Sequence, residues 1–335
     1  MHSILIDTAA VAGAAWSDAL QHGALPRLSR ALRLAEIVAE EAPRADAEAA
    51  WLTPAERWVA AALGLQADDP APWGALAALG DGLQPGDAPW ALALPVHLQL
   101  GRESLSLADP AGLRLHADES AALLDAVRPL LADAAWRIEQ PQPSRWLISH
   151  PSLAGVCTAD PARAIARNVA SWMPGGAPAR PWRRLLTEIQ MVWQHHPVNE
   201  TRLRDGALDI NSVWLHGCAA LPAGLRNPFE FDGEVPATLW ARALGAGLPR
   251  LPATRHPHRL LVLQPAASRA DERFVAELAA LDARAAQAIE AALQQHAAAR
   301  VVLAGERRWI AFELRRARRW QFWRRADAHV LLDRV

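Results

Sequence analysis

Apolar positions along the chain fall into short continuous runs and longer helical stripes that follow one another in alternation. "SILID" (3–7) is an apolar run closed by an aspartate and predicts a short buried strand. "LPRLSRALRLAEIVAEEA" (25–42) places leucines on one helical face and predicts helix. In "LTPAERWVAAALGL" (52–65), Thr53 stands as an N-cap, Pro54 at the first helical position and Glu56 three residues after the cap. That capping box predicts a helix running to Gly64. Residues 66–90, rich in Pro, Gly and Asp, read as a connecting loop.

The middle of the chain predicts strands at "WALALPVHLQL" (90–100), "LSLADPAGLRL" (105–115), "WRIEQ" (136–140) and "SRWLIS" (144–149). Between them, "ADESAALLDAVRPLLADA" (117–134) is an amphipathic helix. "PWRRLLTEIQMVWQHH" (181–196) repeats apolar residues at Leu185, Ile189 and Val192 and is a helix. After it, "HHPVNETRLRDGALDINSVWLHG" (195–217) reads as a helix–loop–strand crossover, its two histidines placed at a helix end where imidazolium is favoured. The last third holds a clean unit. "HRLLVLQP" is followed by a helix over 271–295 with Phe274, Leu278, Leu281, Ala285 and Ala288 on one stripe, then "RVVLAG". Strand, long helix and strand predict a parallel crossover, and the chain as a whole predicts an α/β fold.

Composition adds little to this and excludes a good deal. The 335 residues can bury a large core in one or two domains, and 51% hydrophobic with 21% charged residues is a globular balance. All 35 basic residues are arginine, and the net charge of −1 draws no polyanion as a whole. Residues 300–335, however, carry ten arginines against four carboxylates, interleaved with aromatics in "RRWIAFELRRARRWQFWRR". Such a tail suits single-stranded nucleic acid, with Arg315, Arg316, Arg318 and Arg319 as the contacts, although an amphipathic closing segment that packs its aromatics inward explains it better and nucleic acid is not the expected partner. Cys157 and Cys218 cannot form a disulfide framework or a four-ligand zinc site. No signal segment and no membrane-spanning run is found, so a cytoplasmic protein is expected.

Four asparagines occur, at 168, 199, 211 and 227, and two of them fall within the 195–217 stretch. Asn199 and Asn211 either satisfy turn backbone or, with Arg145 and Arg202, line a pocket for a phosphorylated or carboxylated metabolite. His256 and His258, in "RHPHR", share a side if they lie on a strand, yet lack further metal ligands. No Gly-x-Ser-x-Gly elbow, phosphate loop or dinucleotide fingerprint is present.

Residues 90–222 resemble the inserted domain of archaeal-type cofactor-independent phosphoglycerate mutases. The resemblance is carried, in order, by "DPAG" (109–112), "ADESAALL", "SRWLI" with Arg145, "CTADP" (157–161), "WMPGG" (172–176) and "HPVNETR…NSVWLHG". The whole chain also resembles a proteobacterial family of RpfE-type regulatory proteins. The resemblance implies an alkaline-phosphatase-like α/β core built from 1–89 and 223–335, with an inserted α+β domain at 90–222. It further implies two-metal phosphoryl transfer, with "ILID" bringing a metal-binding Asp7. Against that pattern Ala55 stands where the family has its nucleophile, and Gly305 and Glu306 stand where it has an Asp-His pair.

The expectation is therefore a catalytically degenerate relative that binds a ligand or regulates, with no catalytic residue and no resident metal or other cofactor. Asp7, alone or with His2, would hold a cation poorly. The alternatives are an active metal-dependent mutase or phosphatase with ligands relocated to Asp7, His256 and His258, and a nucleic-acid-associated protein using the Arg/Trp tail.

Overall fold

The computed structural model describes residues 2–8, 11, 13–42, 50–66, 69–101, 104–132, 134–165, 167–234, 238–265 and 272–317. In chain order the strands are β1 (His2–Asp7), β2 (Glu36–Glu40), β3 (Trp90–Val96), β4 (Leu98–Leu100), β5 (Leu105–Leu107), β6 (Arg137–Gln142), β7 (Arg145–Ser149), β8 (Ser212–Ala219), β9 (Asn227–Phe231), β10 (Ala253–Leu263), β11 (Ala298–Ala304) and β12 (Trp309–Arg315). The α-helices are α1 (Gly13–Gln21), α2 (Pro26–Leu32), α3 (Pro54–Ala62), α4 (Trp73–Gly80), α5 (Ala117–Val127), α6 (Pro161–Ala164), α7 (Ala179–Trp193), α8 (Pro197–Arg204), α9 (Leu239–Gly247) and α10 (Glu272–Gln295). None of them is long and apolar enough to cross a membrane. The α/β class expected from the pattern is the one observed.

The chain divides into two compact units: 1–64 with 226–238 and 253–335, and 65–225 with 239–252. The sequence placed the first boundary at residue 89; the structure groups 65–89 with the second unit. The cause is α4. "WGALAALG" is apolar on every side, so it has no amphipathic stripe and reads as loop, yet Trp73 through Ala78 are all buried. A Cβ on Gly74 would stand 2.6 Å from the Trp90 carbonyl oxygen, and one on Gly217 would stand 2.6 Å from Trp73 Cβ. Only glycine lets this helix lie so close to β3 and β8.

The first unit is a six-stranded mixed sheet in the order β2-β12-β11-β1-β10-β9. β1 is central and parallel to both β10 and β11, and every residue of it is buried, which explains its unbroken apolar run. α10 lays Phe274, Leu278, Leu281, Ala285 and Ile289 against Ile4, Ile6, Val301, Leu303 and Phe312. Asp282, on the same helix, fixes the start of α2 by accepting from the backbone N–H groups of Leu28 (2.8 Å) and Arg27 (3.1 Å).

One helical expectation fails here: residues 36–40 form the edge strand β2, paired antiparallel to β12. Ile37 and Val38 are β-branched, and the open edge of β12 offers backbone partners that a helix of Glu-Ile-Val-Ala-Glu would leave unmet.

The second unit has a four-stranded antiparallel sheet, β6-β7-β3-β8, and the small hairpin β4-β5. On one side α5 and α7 bury Leu123, Leu124, Trp182, Leu186, Ile189 and Trp193 against Ala91, Ala93, Trp146 and Leu215. The expected loop after His196 contains the helix α8. Pro197 opens it, and the His196 ring Nδ1 accepts from the Val198 N–H at 3.3 Å. His196 is therefore an N-cap in its neutral form rather than an imidazolium at a C-terminus, and burial lowers its pKa in the same sense.

Candidate functional site

In an open parallel sheet the carboxyl ends of the strands are where loops bring chemistry together. In the first unit these ends carry Asp7 and Thr8 after β1, Gln264 after β10 and the Gly305 turn after β11. Asp7 is buried and accepts from Gln264 Nε2 at 2.6 Å. The Thr8 hydroxyl donates to the Ala304 carbonyl at 3.2 Å, so it is tied to the neighbouring strand. The Gly305 N–H bonds the Arg308 carbonyl and closes the β11–β12 turn.

The capping box of α3 forms as its sequence requires. The Thr53 hydroxyl accepts from the Glu56 N–H at 3.1 Å, and Glu56 Oε2 accepts from the Thr53 N–H at 2.7 Å. Ala55, one position inside the helix, is fully buried and brings no hydroxyl. On the next turn Arg57, only 2% exposed, clamps Glu41 through Nε (2.5 Å) and a terminal nitrogen (2.9 Å) and donates to the carbonyls of Leu52 and Arg307.

The residues suggested as relocated ligands are not brought to this place. The parallel register pairs Ile6 with Leu263, so Asp7 lies level with Gln264. His258 is six residues earlier on β10, roughly 20 Å away along the strand. His256 is farther still. His2 stands at the opposite end of β1 from Asp7, roughly 17 Å off by the same rise. Among the described residues Asp7 belongs to no group of three or more potential ligands. A two-metal centre needs several anionic and imidazole donors around two ions, and the described residues at these strand ends do not fit one.

The four ligand-binding candidates all lie in the second unit. Asn199 is 1% exposed; its Nδ2 donates to the carbonyls of Trp193 and Ile210, and its Oδ1 accepts from the Ile210 N–H, each at 2.8 Å. Asn211 Oδ1 accepts from the Leu98 N–H at 2.7 Å, and its Nδ2 donates to the Leu98 carbonyl at 3.0 Å. Arg202 donates from one terminal nitrogen to both carboxylate oxygens of Glu119 at 3.0 Å, from Nε to the Leu208 carbonyl and from the other terminal nitrogen to that of Leu113. Arg145 pairs with Asp81 at 2.9 Å. Asn199 and Arg202 share the α8 knot, whereas Asn211 and Arg145 serve other joints. Of the tail arginines, Arg318 and Arg319 lie outside the described residues. Arg315 pairs with Glu313, and Arg316 donates to the carbonyls of Leu293 and Gln294.

The sequence did not single out a buried acid–base pair in this unit. Asp160 and His216 are 2% and 0% exposed, with Oδ2 and Nε2 3.7 Å apart. Asp160 Oδ1 caps α6 by accepting from the Ala162 N–H at 2.8 Å. Arg163, on that helix, stands over the Trp172 ring at 5.8 Å. Beside the pair, the Thr158 hydroxyl and Cys218 Sγ are 3.7 Å apart. Burial pushes the Cys218 thiol up to about 12, and burial together with Asp69 raises that of Cys157, so neither is a ready thiolate. "CTADP" and "VWLHG" were visible as motifs, but only folding places residues fifty-six positions apart side by side.

The sequence matches no protein-family model and no curated protein. Among solved structures it resembles the PH0037 protein from Pyrococcus horikoshii, with a TM-score of 0.51 at 11% identity over 94% of this chain and 87% of that one. A cofactor-independent phosphoglycerate mutase from Thermoplasma acidophilum DSM 1728 aligns over 93% of this chain and 89% of that one at 16% identity, with a TM-score of 0.38. At these identities the first likeness concerns the fold alone, and the second is too loose to carry an argument.

Proposed function

We propose that this chain is a catalytically degenerate relative of the phosphoglycerate mutases, with an alkaline-phosphatase-like core in its first unit, and that it works by binding rather than by phosphoryl transfer. The observation that carries the reading is the start of α3. The position that the sequence resemblance assigns to the nucleophile is Ala55, and the hydroxyl of Thr53, two residues before it, is held in a capping box. Alanine cannot attack phosphorus, and the carboxylate of Asp7 is engaged by an amide.

A binding role has a place to work in the first unit. A groove of ≈ 720 Å³ runs between α2, α10 and β12, with Ala283, Ala286, Ile289 and Leu293 among its lining. Arg27, Arg30, Arg315 and Glu290 also line it; with Arg315 paired to Glu313, Arg27 and Arg30 are the guanidinium groups for a phosphorylated or carboxylated ligand.

The test is turnover of a phosphorylated three-carbon acid by the full chain with added manganese, magnesium or zinc. Neither interconversion nor phosphate release above the metal-only background is expected. Robust turnover that disappears in Asp7→Ala would overturn the reading.

A further inference from the structure

Part of one face of α10 stays open to solvent. Val275 is 65% exposed, and Ala279, Ala283, Ala286 and Glu290 follow it at helical spacing. Two grooves run along that face. The one described above lies against α2 and β12; a second, of ≈ 800 Å³, lies between α10, α1 and the turn before α2. Arg27 and Ala283 line both, so the two meet end to end. From Phe274 to Leu293 the joined trough follows roughly 29 Å of helix.

The walls of the second groove are mostly apolar, with Ala15, Ala19 and Leu25 facing Phe274, Leu278 and Ala279. Its acidic members are engaged or point outward. Asp282 accepts from the backbone N–H groups that open α2, and Asp18, 74% exposed, stands 3.5 Å from the His22 ring. Arg27 and Arg30, three residues apart on α2, present their guanidinium groups on one side of that helix. Arg27 stands where the grooves meet, and Arg30 stands one turn into the first.

A phosphorylated three-carbon acid would engage these arginines and leave nearly all of the apolar wall in water. Ligand sites of this size are apolar for the most part, with a few polar groups that fix orientation. We infer that the trough binds a long-chain fatty acid, its carboxylate on Arg27 and Arg30 and its acyl chain in the groove between α1 and α10. A guanidinium fork matches a carboxylate, and the chain covers the alanine and leucine walls. Glu290 sets the direction: it lines the first groove two turns beyond Ala283 and repels the carboxylate towards Arg27. This inference rests on the binding reading above and names the chemistry of its ligand.

The experiment is calorimetry of octanoate, decanoate and dodecanoate, each below its micellar concentration, with the full chain. One equivalent is expected, with Kd falling about twofold or more per added methylene. Full burial of a methylene would give about fourfold, and the open side of the groove leaves part of the chain wet. Replacing both arginines, Arg27→Gln with Arg30→Gln, is expected to weaken dodecanoate by at least about tenfold. Ala279→Trp, which fills the groove from an exposed position, is expected to flatten the series.

A flat series with the unsubstituted chain, dodecanol as tight as dodecanoate, or an undiminished series in folded variants overturns the inference. Should a variant unfold, the series on the unsubstituted chain decides alone. Tighter binding of inorganic phosphate or of a phosphorylated three-carbon acid than of dodecanoate also overturns it, yet leaves the binding reading standing; turnover of that acid is what removes the reading. Binding to anionic phospholipid vesicles but not to free dodecanoate would assign the arginines to a membrane surface. A dimer that Ala279→Trp dissociates and dodecanoate does not would assign the trough to a second copy. Either result sinks the fatty acid.

Discussion

Arg57 and Arg202 make nearly the same set of bonds in separate units, yet only one of them looked functional in the sequence. Arg57 forks onto Glu41 with two nitrogens and donates to two carbonyls; Arg202 reaches both oxygens of Glu119 from one nitrogen and also donates to two carbonyls. Both are buried, at 2% and 5% exposure, and their partners differ little. Arg202 stands beside two asparagines in a motif, whereas Arg57 sits inside an ordinary helix and carries no such signal. The comparison teaches that in a chain whose every basic residue is arginine, a guanidinium is first of all a structural clamp: five donors in a fixed plane can close several loops at once.

Breaking each clamp tests that equivalence most strongly. Arg57→Met is expected to destabilise the protein by about 3–5 kcal/mol, because it strands a mostly buried Glu41 and two carbonyls. Arg202→Met is expected at or below the lower end of that range, since Glu119 is the more exposed carboxylate and keeps its backbone bond to His116. Urea unfolding of both checks the pair, and a loss below about 0.5 kcal/mol in either would show that its fork is decoration. Lysine at either position keeps the charge but not the fork, and is expected to recover little of the loss.

The next effect sharpens the second unit's side of the comparison. Asn199→Ala removes three bonds to buried backbone and is expected to cost about 2–3 kcal/mol, read by the same unfolding experiment. On the first unit's side, Thr53→Ala is expected to cost about 1 kcal/mol through the lost cap. Equal costs for the two would mean that the α8 knot is no tighter than a single helix cap.

The smallest effect is pH dependence. His2 and His196 are both held below the ordinary histidine value by burial, so the folded chain binds fewer protons than the unfolded one. Their stabilising contribution is whole above the unfolded value of 6.5 and is lost as pH falls through the lowered folded values. Denaturation midpoints should therefore fall between about pH 7.5 and about pH 5, with a shallower slope in His2→Gln. An unchanged slope in that variant would remove His2 from the account.

Local grammar was legible where it was self-contained. Thr53-Pro-Ala-Glu56 spelled out a capping box, and the strand–helix–strand order of the last third spelled out the parallel neighbours of β1. Legibility failed where a segment's state depended on what lay against it. α4 is apolar on all sides and shows no period, and β2 is charged enough to pass for a helix face but is drawn into a strand by the edge of β12. Among the candidate site residues, side-chain type announced hydrogen-bonding capacity correctly, but not its use. Asn199 had the donors and acceptor of a ligand contact, and the backbone of Trp193 and Ile210 took all three.

What the sequence by itself determined is the chemistry that cannot occur at one place: Ala55 brings no hydroxyl, whatever surrounds it. It also determined the elements whose signals lie within a few residues, because caps, stripes and buried runs act over one or two turns of chain. Only the tertiary structure decided which distant groups meet. Asp160 and His216, or His2 and Asp232, are ordinary residues until strands pair and bring them within a few ångströms, since burial and proximity, not residue type, set a group's protonation.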